Sequence, residues 1–407
     1  MTNITRRDLL ARSALIGCCA AASPLLTPMS FASAPGDNRL VVLILRGGMD
    51  GLDMLRPVGD AHYAKLRPTL GVKRGPALDG FYELHPDLAG LMPLWAAGEL
   101  AFAQAVSTPY RDKRSHFDGQ DLLEAGTESL QGGGVRDGWL NRMLQVMPGV
   151  HGETAYAIGR EEMRLVNGAA EVAKWWPGLD VTLSSQGVRL LNLTMAEDPA
   201  MAAAMGQALS LANSDGDGVV LEGDGAGMVD AVMSDMRAAS SGQSHLRMAE
   251  FAADKLLGSA RIATFSLNGW DTHNRQSRNI GRSFGRLGDT LMTLRDGLGA
   301  DVWGRTTVLA LTEFGRTVAE NGTRGTDHGT GGTMLMAGGA LRGGQVFGAF
   351  PGLAEVDLYD RRDLMPGSDI REWAAWALRE SFGLAKSDLV GTVFPGLEMG
   401  VTPKLLR

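Results

Sequence analysis

Cysteine is nearly absent: the 407 residues hold two, side by side at Cys18 and Cys19. The chain beyond them has no thiol, which excludes disulfide bracing and thiolate catalysis there. Positive charge is also lacking, with a formal balance of −7. Nucleic acid is therefore excluded as the main partner, because a phosphate backbone is bound by a basic surface. No segment past the N-terminal leader offers about 18 uninterrupted apolar residues, so no membrane span is expected. Histidine is scarce, seven in all. That scarcity gives weight to one set beside an acid in a glycine-rich loop, "TDHGTGG" at Thr326–Gly332.

What is present points to an exported globular protein. Hydrophobic residues make up 44% and charged residues 21%, enough for one large α/β domain or two medium ones. The N-terminus reads "TRRDLLARSALIGCCAAASPLLTPMSFASA". Paired Arg6 and Arg7, a modestly apolar stretch and small residues follow in the order of a twin-arginine export signal. Cleavage after Ala32 or Ala34 is expected, and Pro35 disfavours the second. Residues 1–34 are then a signal and 35–407 the α/β domain of a periplasmic or secreted protein. "LIGC" at Leu15–Cys18 also has the form of a lipoprotein cleavage box, but its apolar segment is short and interrupted by Arg12.

Continuous apolar runs mark strands buried on both faces. They fall at Val41–Leu45, Leu100–Val106, "ARIATFSLN" before Asp271, "TTVLALT" before Glu313, and "GTMLMAGGAL". Helical patterns alternate with them around Asp87–Ala97, Ser115–Ala125, Gln243–Leu257, Ile280–Leu298 and Asp369–Ser381. Strands alternating with helices imply an α/β fold with a largely parallel central sheet. The stretch from about 130 to 245, rich in Ala, Met, Gly and Ser, reads as an inserted helical lobe, with helical patterns near Pro199–Leu211 and Gly227–Ala239.

Acids and histidines stand at the ends of these strands: Asp50, Asp271 with His273, Glu313, and the loop pair Asp327 and His328. The loop "YRDKRSHFDGQDLLEAG" adds Asp112, Ser115, His116 and Asp118. Ligands gather at the carboxyl ends of parallel strands. Carboxylates with imidazoles there suit a divalent metal such as Zn or Mn. Each residue also has a structural reading: Asp50 or Ser115 as a helix cap, Asp271 in a turn, Glu313 paired with Arg316. "NSDGDGVVLEGD" at Asn213–Asp224 has EF-hand spacing, but with Asp rather than Glu at its end it reads better as a solvated loop.

"RGGMDGLDMLRP", "RSHFDGQDLLEAG", "GWDTH", "LTEFGRT" and "GTDHGTGG", in this order behind a twin-arginine signal, resemble the exported bacterial DUF1501 family. That family in turn looks like a branch of the alkaline-phosphatase-like superfamily, which includes sulfatases and phosphoglycerate mutases. The resemblance implies a three-layer sandwich with metals at the strand ends. Asp271, His273 and His328 match one site. Asp50 and Glu313 match a second, in which Phe314 stands where relatives have a histidine; its carboxylates suit Mn or Mg. The nucleophile position falls on Ser115, or on Asp112 when His116 sets the alignment. Arg114 or Arg316 would meet the substrate anion. Formylglycine chemistry is excluded, since no cysteine remains to make it. The expectation is a metal-dependent hydrolase of phosphate or sulfate esters acting on a small-molecule or polymer substrate. Its rival is a non-catalytic secreted or surface-assembly protein, paired with another exported protein, on a degenerate scaffold of this kind.

Overall fold

The computed structural model describes residues 36–111, 113–130, 137–176 and 243–407. A nine-stranded sheet is its frame. The strands are β1 (Arg39–Arg46), β2 (Leu100–Ser107), β3 (Ala155–Ile158), β4 (Ala173–Trp175), β5 (Ile262–Asn268), β6 (Thr306–Leu311), β7 (Gly332–Ala337), β8 (Gln345–Phe347) and β9 (Ser368–Asp369). Their order is β8–β2–β7–β6–β1–β5–β3–β4, with β9 also paired to β2. All pairs are parallel except those of β7 with β2 and β6. β1 is central, in register with β5 (Leu40 to Ile262) and with β6 (Arg39 to Thr306).

Burial of both faces explains the unbroken apolar runs. Successive strand side chains point to opposite faces. Val41, Leu43 and Leu45 of β1 enter one core, and Leu40, Val42 and Ile44 enter the other. Over the first face lie α3 (Ser244–Leu257) and α4 (Gln276–Trp303). α4 buries Ile280, Phe284, Leu287, Leu291, Leu294 and Leu298, a three-and-four spacing that puts them on one stripe. Over the second face lie α2 (Trp139–Val146) and α5 (Ile370–Phe382), with α1 (His116–Ala125) above the strand ends. The result is a three-layer α/β sandwich, as the alternation of elements implies.

One reading is corrected. Residues 155–158 and 173–175 fall inside the stretch taken as an inserted helical lobe, yet they are β3 and β4 of the main sheet. Strands of four and three residues are too short to show a period in sequence. The signal, Asp112, the helical patterns at Pro199–Leu211 and Gly227–Ala239, and the Asn213–Asp224 loop lie outside the described residues. Among the described residues no helix is long and apolar enough to cross a membrane.

Beneath the start of α4, Asp50, Asp53, Arg56, Arg67, His85 and Gln276 are all buried. Gln276 Nε2 donates to Asp50 Oδ2 (2.6 Å) and to Asp53 Oδ2 (3.0 Å), fastening α4 to the turn after β1. His85 Nδ1 accepts the Asp87 amide at 3.1 Å, and its ring packs 4.5 Å from Phe284. Burial pushes the His85 pKa down to about 4, against the opposing pull of Asp53. Unfolded histidine titrates near pH 6.5, so between roughly 4 and 6.5 the unfolded chain binds the extra proton. Stability should therefore be lost as pH falls through that window, by up to about 3 kcal/mol from this group. Urea midpoints measured from pH 7 to 4 test it. The slope should flatten in His85→Asn; equal slopes in both proteins would refute the assignment.

Candidate metal centre

The sheet delivers its functional side chains at the carboxyl ends of β1, β5 and β6, and α1 begins over the same place. His116, Asp271 and His328 present ligand atoms that all lie within 4.8 Å of one another. Asp271 Oδ1 is the hub. It lies 3.0 Å from His273 Nε2, 3.3 Å from His116 Nε2 and 3.3 Å from His328 Nε2. His273 Nε2 and His328 Nε2 face each other at 2.9 Å. Asp271 and His273 are open to solvent, while His116 and His328 are more enclosed.

The opposite edge of each imidazole decides what this arrangement can do. His116 Nδ1 is 2.8 Å from Glu313 Oε1, His273 Nδ1 is 3.0 Å from Asp327 Oδ1, and His328 Nδ1 is 3.0 Å from the Arg114 carbonyl. Carboxylate and carbonyl oxygens only accept, so these partners assign the N–H to Nδ1 in all three rings. In the neutral rings each Nε2 then carries a lone pair, and the lone pairs converge on a carboxylate oxygen. His116 Nε2 is buried and makes no well-formed hydrogen bond despite the nearness of Asp271. A cluster of acceptors with outward-facing N–H groups is the arrangement that metal-binding histidines adopt. The donor set of imidazoles and one carboxylate fits a divalent cation.

The charges at Asp271 and His328 agree with this geometry. Burial would raise the Asp271 pKa, but the Arg316 guanidinium outweighs it, with smaller pulls from His273 and His116, and holds it down to about 2. Hydrogen bonding to Glu313 raises the pKa of His116, and burial lowers that of His328. Glu313 is fully buried, yet it stays below the usual carboxylate range. Burial would raise it, but hydrogen bonds from His116, Gln120 and the Gly47 amide overcome that.

Several residues singled out in the sequence take other places. Asp50 Oδ2 pairs with Arg67 Nη1 at 2.6 Å, both side chains buried, while its Oδ1 accepts the Asp53 amide as a cap. Glu313 spends its carboxylate on Gly47 N, His116 Nδ1, Gln120 Nε2 and Thr312 Oγ1. Both carboxylates are thus engaged by protein groups, and Glu313 steadies a residue of the cluster. Ser115 Oγ accepts the Asp118 amide at 3.3 Å and caps α1. Arg316 is turned inward. Its side chain is fully buried and donates to the carbonyls of Gly47, Gly48, Trp270 and Thr326 and to Asp271 at 2.6 Å. Arg114 keeps an exposed side chain beside the cluster, with its carbonyl on His328.

Phe314 has a packing reason for its identity. Its ring lies 5.0 Å from that of His116, 4.9 Å from that of His328, and stacks on Tyr110 at 6.1 Å. Gly48 makes room for it: a Cβ there would come within 2.6 Å of the ring, and the backbone has φ +64. Phe314 thus forms an apolar floor under two imidazoles, those of His116 and His328. His116, read in the sequence as catalytic beside Ser115, stands in the structure within the cluster of Asp271 and His328. A signal existed in Gln120, one turn along α1, which shares Glu313 with His116.

Fold and site together define a three-layer α/β protein with a histidine and aspartate cluster at the carboxyl ends of its strands. The DUF1501 family, described as proteins of unknown function, matches residues 96–393. The chain belongs to that family, and the matched span takes in every residue of the cluster. No curated protein matches the sequence.

Proposed function

We propose that this protein is an exported, metal-dependent hydrolase of phosphate or sulfate esters, acting in the periplasm or outside the cell. The observation that carries the reading is that three histidines set Nδ1 against oxygen acceptors and turn Nε2 toward Asp271. His116, Asp271 and His328, with His273 beside them, would hold a divalent ion, and three imidazoles favour Zn over Mn. When bound, such an ion supplies Lewis acidity toward an ester oxygen. The chain's own groups do the positioning. Glu313, Asp327 and the Arg114 carbonyl fix the three rings, and Arg316 keeps Asp271 ionised. The exposed Arg114 guanidinium is placed to meet the substrate anion.

A second reading, a metal-binding protein without catalysis, is favoured by one observation: the Ser115 hydroxyl is engaged in capping α1. Metal analysis of the purified protein comes first, followed by turnover of an aryl phosphate, a phosphodiester and an aryl sulfate. Stoichiometric metal with turnover of one ester class, both lost in His328→Ala, is the expected result. Metal without turnover of any ester supports the second reading. No transition metal, and no change in His328→Ala, would overturn the metal site itself.

A further inference from the structure

The loops that hold the cluster carry more positive charge than one ester needs. Lys113 and Arg114 precede α1, and the Arg114 carbonyl accepts from His328. Arg275 and Arg324 bracket His273. The Arg275 amide donates to Thr323 O and the Gln276 amide to Arg324 O, while Thr323 Oγ1 and Asn321 Nδ2 donate to the His273 carbonyl. Arg361 adjoins Arg362, whose Nη2 donates to the His328 carbonyl at 2.9 Å. Lys113, Arg114, Arg275, Arg324 and Arg361 are all exposed. No side chain among the described residues pairs with the first four, and Arg361 has only the exposed Glu355 at 3.8 Å. Asp327 is engaged by His273 and Asp363 by Arg362, which leaves Asp360 as the acid beside Arg361.

Three of these arginines sit where an L residue is disfavoured. Arg275, Arg324 and Arg361 have φ of 46°, 59° and 54°. Among the described residues six non-glycine positions have positive φ, and these three are its only arginines. Left-handed backbone costs an L residue conformational energy that glycine avoids, and where glycine is absent Asn or Asp commonly stands there, because a short polar side chain bonds locally. The sequence uses 55 glycines elsewhere. Arginine with an exposed head at these turns, unengaged at 275 and 324 and held at 361 only by the exposed Glu355, points to a use for the charge, and strain of this kind gathers at functional sites.

We infer that these loops form a cationic collar that holds a polyanionic chain across the metal cluster. The inference rests on the cluster being the working centre and narrows its substrate to a polymer carrying repeated phosphate or sulfate groups. A single phosphate ester bears about two negative charges at most, so the collar's cations are left for neighbouring anionic groups. The rest of the molecule is acidic, which repels such a chain elsewhere and concentrates its binding here.

The test measures binding of labelled inorganic polyphosphate and dextran sulfate to the mature protein, from 50 to 200 mM salt, without reading turnover. Combined Arg275→Gly, Arg324→Gly and Arg361→Gly should weaken binding on the order of tenfold or more and, by removing three charges, reduce the slope of log affinity against log salt by about 2. The Tm should stay the same or rise, because glycine relieves the left-handed turns. The corresponding Arg→Lys variant should restore binding. Metal uptake measured on the same glycine variant should match that of the wild type, because none of the three arginine side chains touches the cluster, so failure of the metal reading and failure of the collar are separable. The tighter of the two probes tells phosphate from sulfate. Unchanged affinity in the glycine variant, a fall in its Tm, inorganic phosphate binding as tightly as polymer, or tighter capture of single-stranded DNA would each overturn the proposal.

Discussion

Replacing His328 by Ala is expected to lower affinity for Zn or Mn by on the order of 100-fold or more, and His116→Ala to do the same. Each substitution removes one lone pair from a set that converges on Asp271 Oδ1, from 3.3 Å in both cases. Glu313→Gln is the finer probe. The glutamine keeps the shape but loses the charge that fixes the His116 Nδ1–H at 2.8 Å, and loss of such a supporting partner costs about 10- to 100-fold in metal affinity. Competition with a chromophoric chelator measures all three. Equal affinities in the wild type and in both histidine variants would refute the cluster as a metal centre. A Glu313→Gln effect as large as that of His328→Ala would show Glu313 to be a direct ligand, not the group that orients one.

Arg316→Met is expected to cost about 3–5 kcal/mol of stability, the range seen when one partner of a buried charged network is removed. The guanidinium is fully buried and ties the ends of three segments: Gly47 and Gly48 after β1, Trp270 and Asp271 after β5, and Thr326 before His328. Methionine fills the volume but leaves those carbonyls without donors. Arg316→Lys should recover little, because a compact ammonium cannot reach acceptors spread around a planar fork. The same variant should lose metal affinity, since Asp271 and the His328 loop are no longer held together. Calorimetry on the metal-free proteins isolates the stability effect. An Arg316→Met protein that melts within a degree or two of the wild type would show that the carbonyls find other partners, and the structural account of Arg316 would fall.

The strands and helices were legible because their signals are local. The runs at Val41–Leu45 and Leu100–Val106 are apolar at every position but Gln104, since β1 and β2 are covered on both faces. Ser115 and Gly126 bound α1 with a cap and a left-handed stop that can be read directly from sequence. β3 and β4 were not legible, because a strand of three or four residues is defined by its neighbour in the sheet, not by its own pattern. Of the cluster, Asp271, His273 and His328 were identified as partners through motif order. His116 was seen beside Ser115 but not as a member of the cluster, because nothing in sequence fixes which way the first residue of a helix points over a sheet.

The sequence by itself determined the family, the α/β alternation, the scarcity of thiols and the set of acids and histidines placed at strand ends. Each of these depends on composition or on residues within a turn or two of one another. Only the tertiary structure decided how that set divides. Asp50 was turned inward to Arg67, Glu313 was set behind His116, Arg316 was spent on backbone carbonyls, and His116 was swung over Phe314 to meet Asp271. The physical reason is that a buried charge must find its partner among whatever the fold brings within about 3 Å, and here those partners lie up to some 270 residues away along the chain.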